Sequence, residues 1–109
     1  MSCVRKMFDP PRYATRGVMG TLPQDVQFTL WAMVDLLCLQ SGVKPDYLQV
    51  FELSPFMDRA SELNQAIRQS QEQPCYVATN LMRVSAPVAV KVFIIDDGEH
   101  ATMMLASEY

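Results

Sequence analysis

One amphipathic stripe limits what this chain can fold into. Val26, Leu30, Met33, Val34 and Leu37 recur at spacings of four, three, one and three, the period of a helix with one apolar face. Trp31 and Cys38 broaden the stripe. Ahead of it, Gly20-Thr21-Leu22-Pro23-Gln24 predicts the helix start. Thr21 is placed to cap free backbone N–H groups, Gln24 completes the capping box, and Pro23 suits a first turn. Gly42 predicts the stop, and Pro45 prevents resumption.

The other secure segments read as strands. Arg12 to Val18 predicts a short first strand, bounded by Gly17 and Gly20. Tyr47 to Leu53 is aromatic and β-branched enough for a second, which Pro55 should break. Cys75 to Val84 and Val88 to Ile95 follow, separated by Ser85-Ala86-Pro87, and Ala101 to Leu105 closes the series. Asp96-Asp97-Gly98-Glu99 joins the last two as a hairpin signal, and a type I′ turn there needs positive φ at both central residues. Met57 to Gln69 stays open: its propensity favours helix, and a strand beginning near Gln65 fits as well. Pro74 ends it in either case. The expected architecture is α+β, one main amphipathic helix packed on a mostly antiparallel sheet of five or six strands. Residues 12–109 form the single domain, behind a flexible N-terminal segment, 1–11.

Composition narrows the function classes. A chain of 109 residues is too short for two stable cores, and half of it is hydrophobic, which argues against disorder. Nine basic and twelve acidic side chains leave a formal charge of -3 with no block of one sign. Direct nucleic-acid binding is therefore not indicated, and the acidity is too thin for a DNA mimic. Arg5 and Lys6 have no apolar run behind them, so no signal peptide is read, and no stretch approaches the about 18 apolar residues of a membrane span. Cys3, Cys38 and Cys75 are odd in number and widely spaced, which suits free thiols in the cytoplasm. Cys38 and Cys75 are expected in the core and Cys3 in a loose tail.

Chemistry-bearing patterns are few. His100 is the only histidine and lies beside Asp96, Asp97 and Glu99. Such a cluster would serve a divalent metal or acid–base work, as in a small metal-dependent hydrolase or nuclease. The simpler reading is a solvated hairpin tip. The cysteines lack zinc spacing, no nucleophile elbow is present, and Gly17 and Gly20 form no phosphate cradle, so no metal or other cofactor is expected. Arg12, Tyr13 and Arg16 interleave an aromatic with two guanidinium groups, and on one strand Arg12 and Arg16 share a face. The simpler reading pairs them with carboxylates such as Glu52 or Asp96.

The strand from Val88 to Ile95 is apolar on both faces: Val88, Val90, Val92 and Ile94 on one, Ala89, Phe93 and Ile95 beside Lys91 on the other. One helix covers one face of a sheet. The second face then needs the 55–64 segment, a second copy in a homodimer, or a partner.

In order along the chain, RYATRGV (12–18), LPQDVQFTLW (22–31), YLQVFEL (47–53), QEQP (71–74), IDDGEHATM (95–103) and the closing EY (108–109) resemble domain-of-unknown-function family 960. The DDGE-x-x-TM segment is the most specific part. The chain departs in its extra N-terminal residues and in 54–64, which looks longer than usual. The resemblance implies a compact, intracellular domain of a kind often encoded by phages and other mobile elements, and it assigns no catalytic residues. Small proteins of that type include inhibitors of host defence, among them anti-CRISPR proteins that bind the Cas9 effector. The expected function is therefore a non-enzymatic binding protein that contacts a host defence nuclease complex. Arg12, Tyr13, Arg16, Asp96, Asp97 and Glu99 are the candidate contacts, with the acidic turn competing for a basic channel. The metal-dependent enzyme and the homodimer through 88–95 are the alternatives.

Overall fold

The predicted stripe forms its helix. The computed structural model describes residues 4–40 and 42–109, and α2 (Gln24–Leu39) presents Val26, Leu30, Met33, Val34 and Leu37 to the interior, all buried. Its start differs from the expectation. Thr21 ends a short preceding helix, α1 (Arg16–Thr21), and cannot cap α2; Pro23 takes the cap position without a side-chain bond. Asp25, in the first turn, supplies the favourable anion there and accepts the Val26 N–H at 2.9 Å. α2 ends at Leu39, and Gly42 lies just beyond with φ at 88°.

The first strand is shorter than the sequence suggests. β1 is only Arg12–Ala14, because Thr15 stops it and caps α1, accepting the Val18 N–H. Thr15 also donates to Glu108 Oε1 at 2.6 Å, which fastens the C-terminal turn (Ala106–Glu108) to α1. Gly17 belongs to that junction: a Cβ there would come within 2.6 Å of the Glu108 carboxylate.

Five further strands complete a six-stranded sheet: β2 (Leu48–Met57), β3 (Leu63–Gln71), β4 (Tyr76–Met82), β5 (Val90–Asp96) and β6 (Ala101–Leu105). The order is β1-β6-β5-β2-β3-β4, antiparallel except for β1 against β6. The fold is α+β, with α2 the main helix on one face. Pro55 does not break β2, which runs on beside β3 through Met57. Pairing with β5 ends at Leu53, so Pro55 stands at a local edge, where a missing N–H costs nothing. The open segment resolves into strand: 58–62 turn, and β3 carries the rest. The hairpin between β5 and β6 is present, but only Gly98 has positive φ, at 97°. Its four-residue loop is held instead by Asp97, whose Oδ1 accepts the Glu99 and His100 N–H groups.

Between α2 and the sheet lie Phe51, Leu53, Ile67, Val92, Ile94 and Met103, all buried. Each such side chain contributes roughly 1.5–3 kcal/mol by burial. Arg5 to Phe8 are not loose: Phe8 is 1% exposed, within the same core. Cys38 and Cys75 are both exposed rather than in the core, since Leu37 takes the inward position next to Cys38 and Cys75 falls in the β3–β4 turn. Cys3 lies outside the described residues.

One end of the interior is polar. Gln69 donates to Gln49 Oε1 at 3.0 Å, Gln49 to Gln71 Oε1 at 2.6 Å, and Gln71 to the Lys44 and Pro74 carbonyls. All three glutamines face α2, and the relay fixes the 43–47 loop to the β3–β4 turn. A Gln49→Ala change leaves the buried Gln69 amide without its acceptor, while Gln71 keeps the Asp46 N–H, so it should lower stability by about 1–3 kcal/mol in urea unfolding. Gln65 uses the same chemistry elsewhere: it both donates to and accepts from the Val88 backbone, at 3.0 and 2.8 Å. That bond pins the crossover from β4 to β5.

Candidate functional site

Strand parity separates the candidate residues. Cross-strand partners share a face, so Arg12, Ala101 and Asp96 point toward α2, while Tyr13, Thr102 and Ile95 point away. Arg12 is committed to packing. Its Nε donates to the Phe8 carbonyl at 2.8 Å, its guanidinium pairs with Asp35, and it lies 4.7 Å above the Trp31 ring. The partner is neither Glu52 nor Asp96. Arg16 opens α1 and is exposed, so it does not share a strand face with Arg12 and the two do not act together.

Asp96 is inward and 6% exposed. Arg5 grips both its oxygens, at 3.2 and 2.8 Å, and the Phe8 and Gly98 N–H groups donate to it at 2.7 and 2.8 Å. Burial by itself would raise its pKa; these donors together hold it below the usual carboxylate value. The N-terminal segment is thus tied to the end of β5 by a carboxylate whose lone pairs are already taken.

Asp97, Glu99 and His100 stay near the surface. The backbone N–H groups of His100 and Glu99 hold the Asp97 carboxyl below its ordinary pKa. Its other oxygen lies 3.1 Å from His100 Nε2. Tyr13, 54% exposed, stands edge-on to that imidazole with ring centroids 5.3 Å apart. The fold therefore brings Tyr13, Asp97 and His100 together, with Glu99 beside them. Among the described residues, no three His, Cys, Asp or Glu side chains are grouped to hold a metal ion.

This cluster forms the rim of a larger feature. On the face away from α2, β2, β5 and β6 present Leu48, Val50, Phe93, Ile95 and Met104, each half-buried. The 55–64 segment lies in the plane of the sheet as β2 and β3 and does not cover them. Tyr109 reaches back edge-on to Phe93, with centroids 5.5 Å apart. Glu52, between Arg68 at 3.3 Å and Lys91 at 4.0 Å, bounds the apolar area beyond Val50 along β2. The apolar alternation of β5 signalled this face in the sequence; its extension over β2 and β6 required the strand order.

Among the described residues, no helix is long and apolar enough to cross a membrane. No curated protein matches the chain. A crystal structure of a protein of unknown function from Enterococcus faecalis is similar over 96% of this chain and 97% of that one, at 26% identity and a TM-score of 0.71. The family model described as a staphylococcal protein of unknown function (DUF960) matches residues 11–108, from the cis Pro10-Pro11 junction ahead of β1 to the Glu108 that ties the C-terminal turn to α1. With that match running through every strand and both helices, the chain belongs to the DUF960 family.

Proposed function

We propose that this protein is a non-enzymatic binding protein whose open sheet face seats a protein partner. The observation that carries the reading is the half-buried patch of Leu48, Val50, Phe93, Ile95 and Met104 on a sheet whose helical layer lies on the other side. Its rim supplies what an interface rim needs: an aromatic in Tyr13, an oriented imidazole in His100, and exposed carboxylates in Asp97 and Glu99. The class of partner follows from the mobile-element character implied by the sequence resemblance, a host defence nuclease complex of the Cas9-effector type. Apolar contact would hold such a partner, while the acidic loop competes for its basic nucleic-acid channel and steers the encounter.

The test is capture of a purified Cas9-type effector by the tagged protein, with binding followed by surface plasmon resonance. An Ile95→Lys change, which buries a charge in the patch, should weaken binding at least about tenfold through a faster off-rate. Reversing Asp97 and Glu99 to lysine should slow association and reduce its salt dependence. Binding indifferent to Ile95→Lys would remove the open face as the site. Absence of any effector binding would remove that partner class.

A further inference from the structure

The two edges of the sheet are built differently. β1 is three residues long, a length that offers little to pair with. β4 is seven residues, Tyr-Val-Ala-Thr-Asn-Leu-Met, with no charge and no proline. It pairs residue for residue with β3 from Gln65–Met82 to Gln71–Tyr76, so no bulge bends it away. Alternate residues along its outer side direct N–H and C=O groups away from β3. Among the described residues, no backbone group outside β3 bonds to 77–82. Sheet proteins ordinarily protect such an edge with a lysine, a proline, a bulge or a covering segment.

We infer that the β4 edge pairs with β4 of a second copy, antiparallel about a two-fold axis through Thr79, to join two sheets into one. The sequence of the strand is self-complementary in that register. Val77 falls opposite Leu81 of the second copy, and both are exposed here, at 46% and 56%. Thr79 meets its own copy, and Ala78 meets Asn80. Just beyond the paired stretch, Arg83 is already paired with Glu62 of its own chain and sets no unmatched charge in this register. A two-fold repeats each of these cross-strand contacts, which is the property of an isologous interface. A peptide strand from an unrelated protein would satisfy the backbone groups but would not use the reciprocal Val77–Leu81 match. This pairing occupies the edge and leaves the open face free, so it stands or falls separately from the proposed partner contact.

Sedimentation velocity on the full chain tests it over a range of micromolar concentrations. The wild type should pass from monomer to dimer. Thr79→Lys, which sets two like charges directly opposite, should leave a monomer with an unchanged circular dichroism spectrum. In a background with Cys3, Cys38 and Cys75 all changed to serine, Thr79→Cys should give a disulfide-linked dimer on mild oxidation. Directly opposed residues in antiparallel strands have Cα atoms about 4.5–5.5 Å apart, within disulfide reach. Leu81→Cys in the same background, facing Val77, should not cross-link. A wild type that stays monomeric, or a dimer indifferent to Thr79→Lys, overturns the inference. Cross-linking through position 81 but not 79 overturns the two-fold about Thr79.

Discussion

Replacing Asp96 with alanine should remove about 3–5 kcal/mol of folding stability, the cost of breaking a buried ion pair from one side. The substitution leaves Arg5 without its carboxylate and the Phe8 and Gly98 N–H groups without an acceptor. Urea unfolding followed by circular dichroism measures the loss; a change under about 1 kcal/mol would mean that these bonds form equally well with water. The same carboxylate makes a pH prediction. Its folded pKa is depressed, so its contribution is fully present above the unfolded value of about 3.9 and is lost as pH falls through the folded pKa. The stability gap between wild type and Asp96→Ala should therefore be constant near neutrality and narrow below about pH 4.

Phe8→Ala should cost about 3–5 kcal/mol, the range for emptying a core aromatic site. Phe8 is 1% exposed and contacts the same interior as Phe51 and Met103. Its backbone N–H is one of the donors to Asp96, so the two substitutions act on a single device. The double variant should lose less than the sum of the singles, because whichever change comes first frees the segment that the other would have freed. Additive losses would show that the ring and the ion pair hold the segment independently.

The parts of this fold that sequence made legible are those with local causes. The α2 stripe, the extent of β6 and the presence of the β5–β6 hairpin all follow from periodicity and turn chemistry within a few residues. The misread parts depend on neighbours distant in the chain. Pro55 sits inside β2 because β5 stops alongside Leu53, a fact about another strand. Thr21 loses its capping role because Thr15, bonded to Glu108, has already started a helix. The segment that becomes β3 stays open between helix and strand in the sequence because Gln65 and Gln69 are inward polar residues, and an inward glutamine makes sense only with its buried partners in place. At the candidate site, Tyr13 and His100 each stand out in the sequence, but their contact needs β1 beside β6. Asp96 looks like one more exposed carboxylate in the sequence because its partner, Arg5, is 91 positions away.

That parallel pairing of β1 with β6 also sets a schedule for synthesis. The first strand of the sheet must wait for its sixth, since Arg12 pairs opposite Ala101 and the Phe8 N–H finds Asp96. While β2, β3 and β4 can zip up as they leave the ribosome, the segment around β1 has no seat until β6 has been made. Closing the sheet is then its longest-range step, with the loop-closure entropy of everything between β1 and β6 against it. A nascent chain arrested before β6 would hold a paired centre and a tethered, unseated leading end.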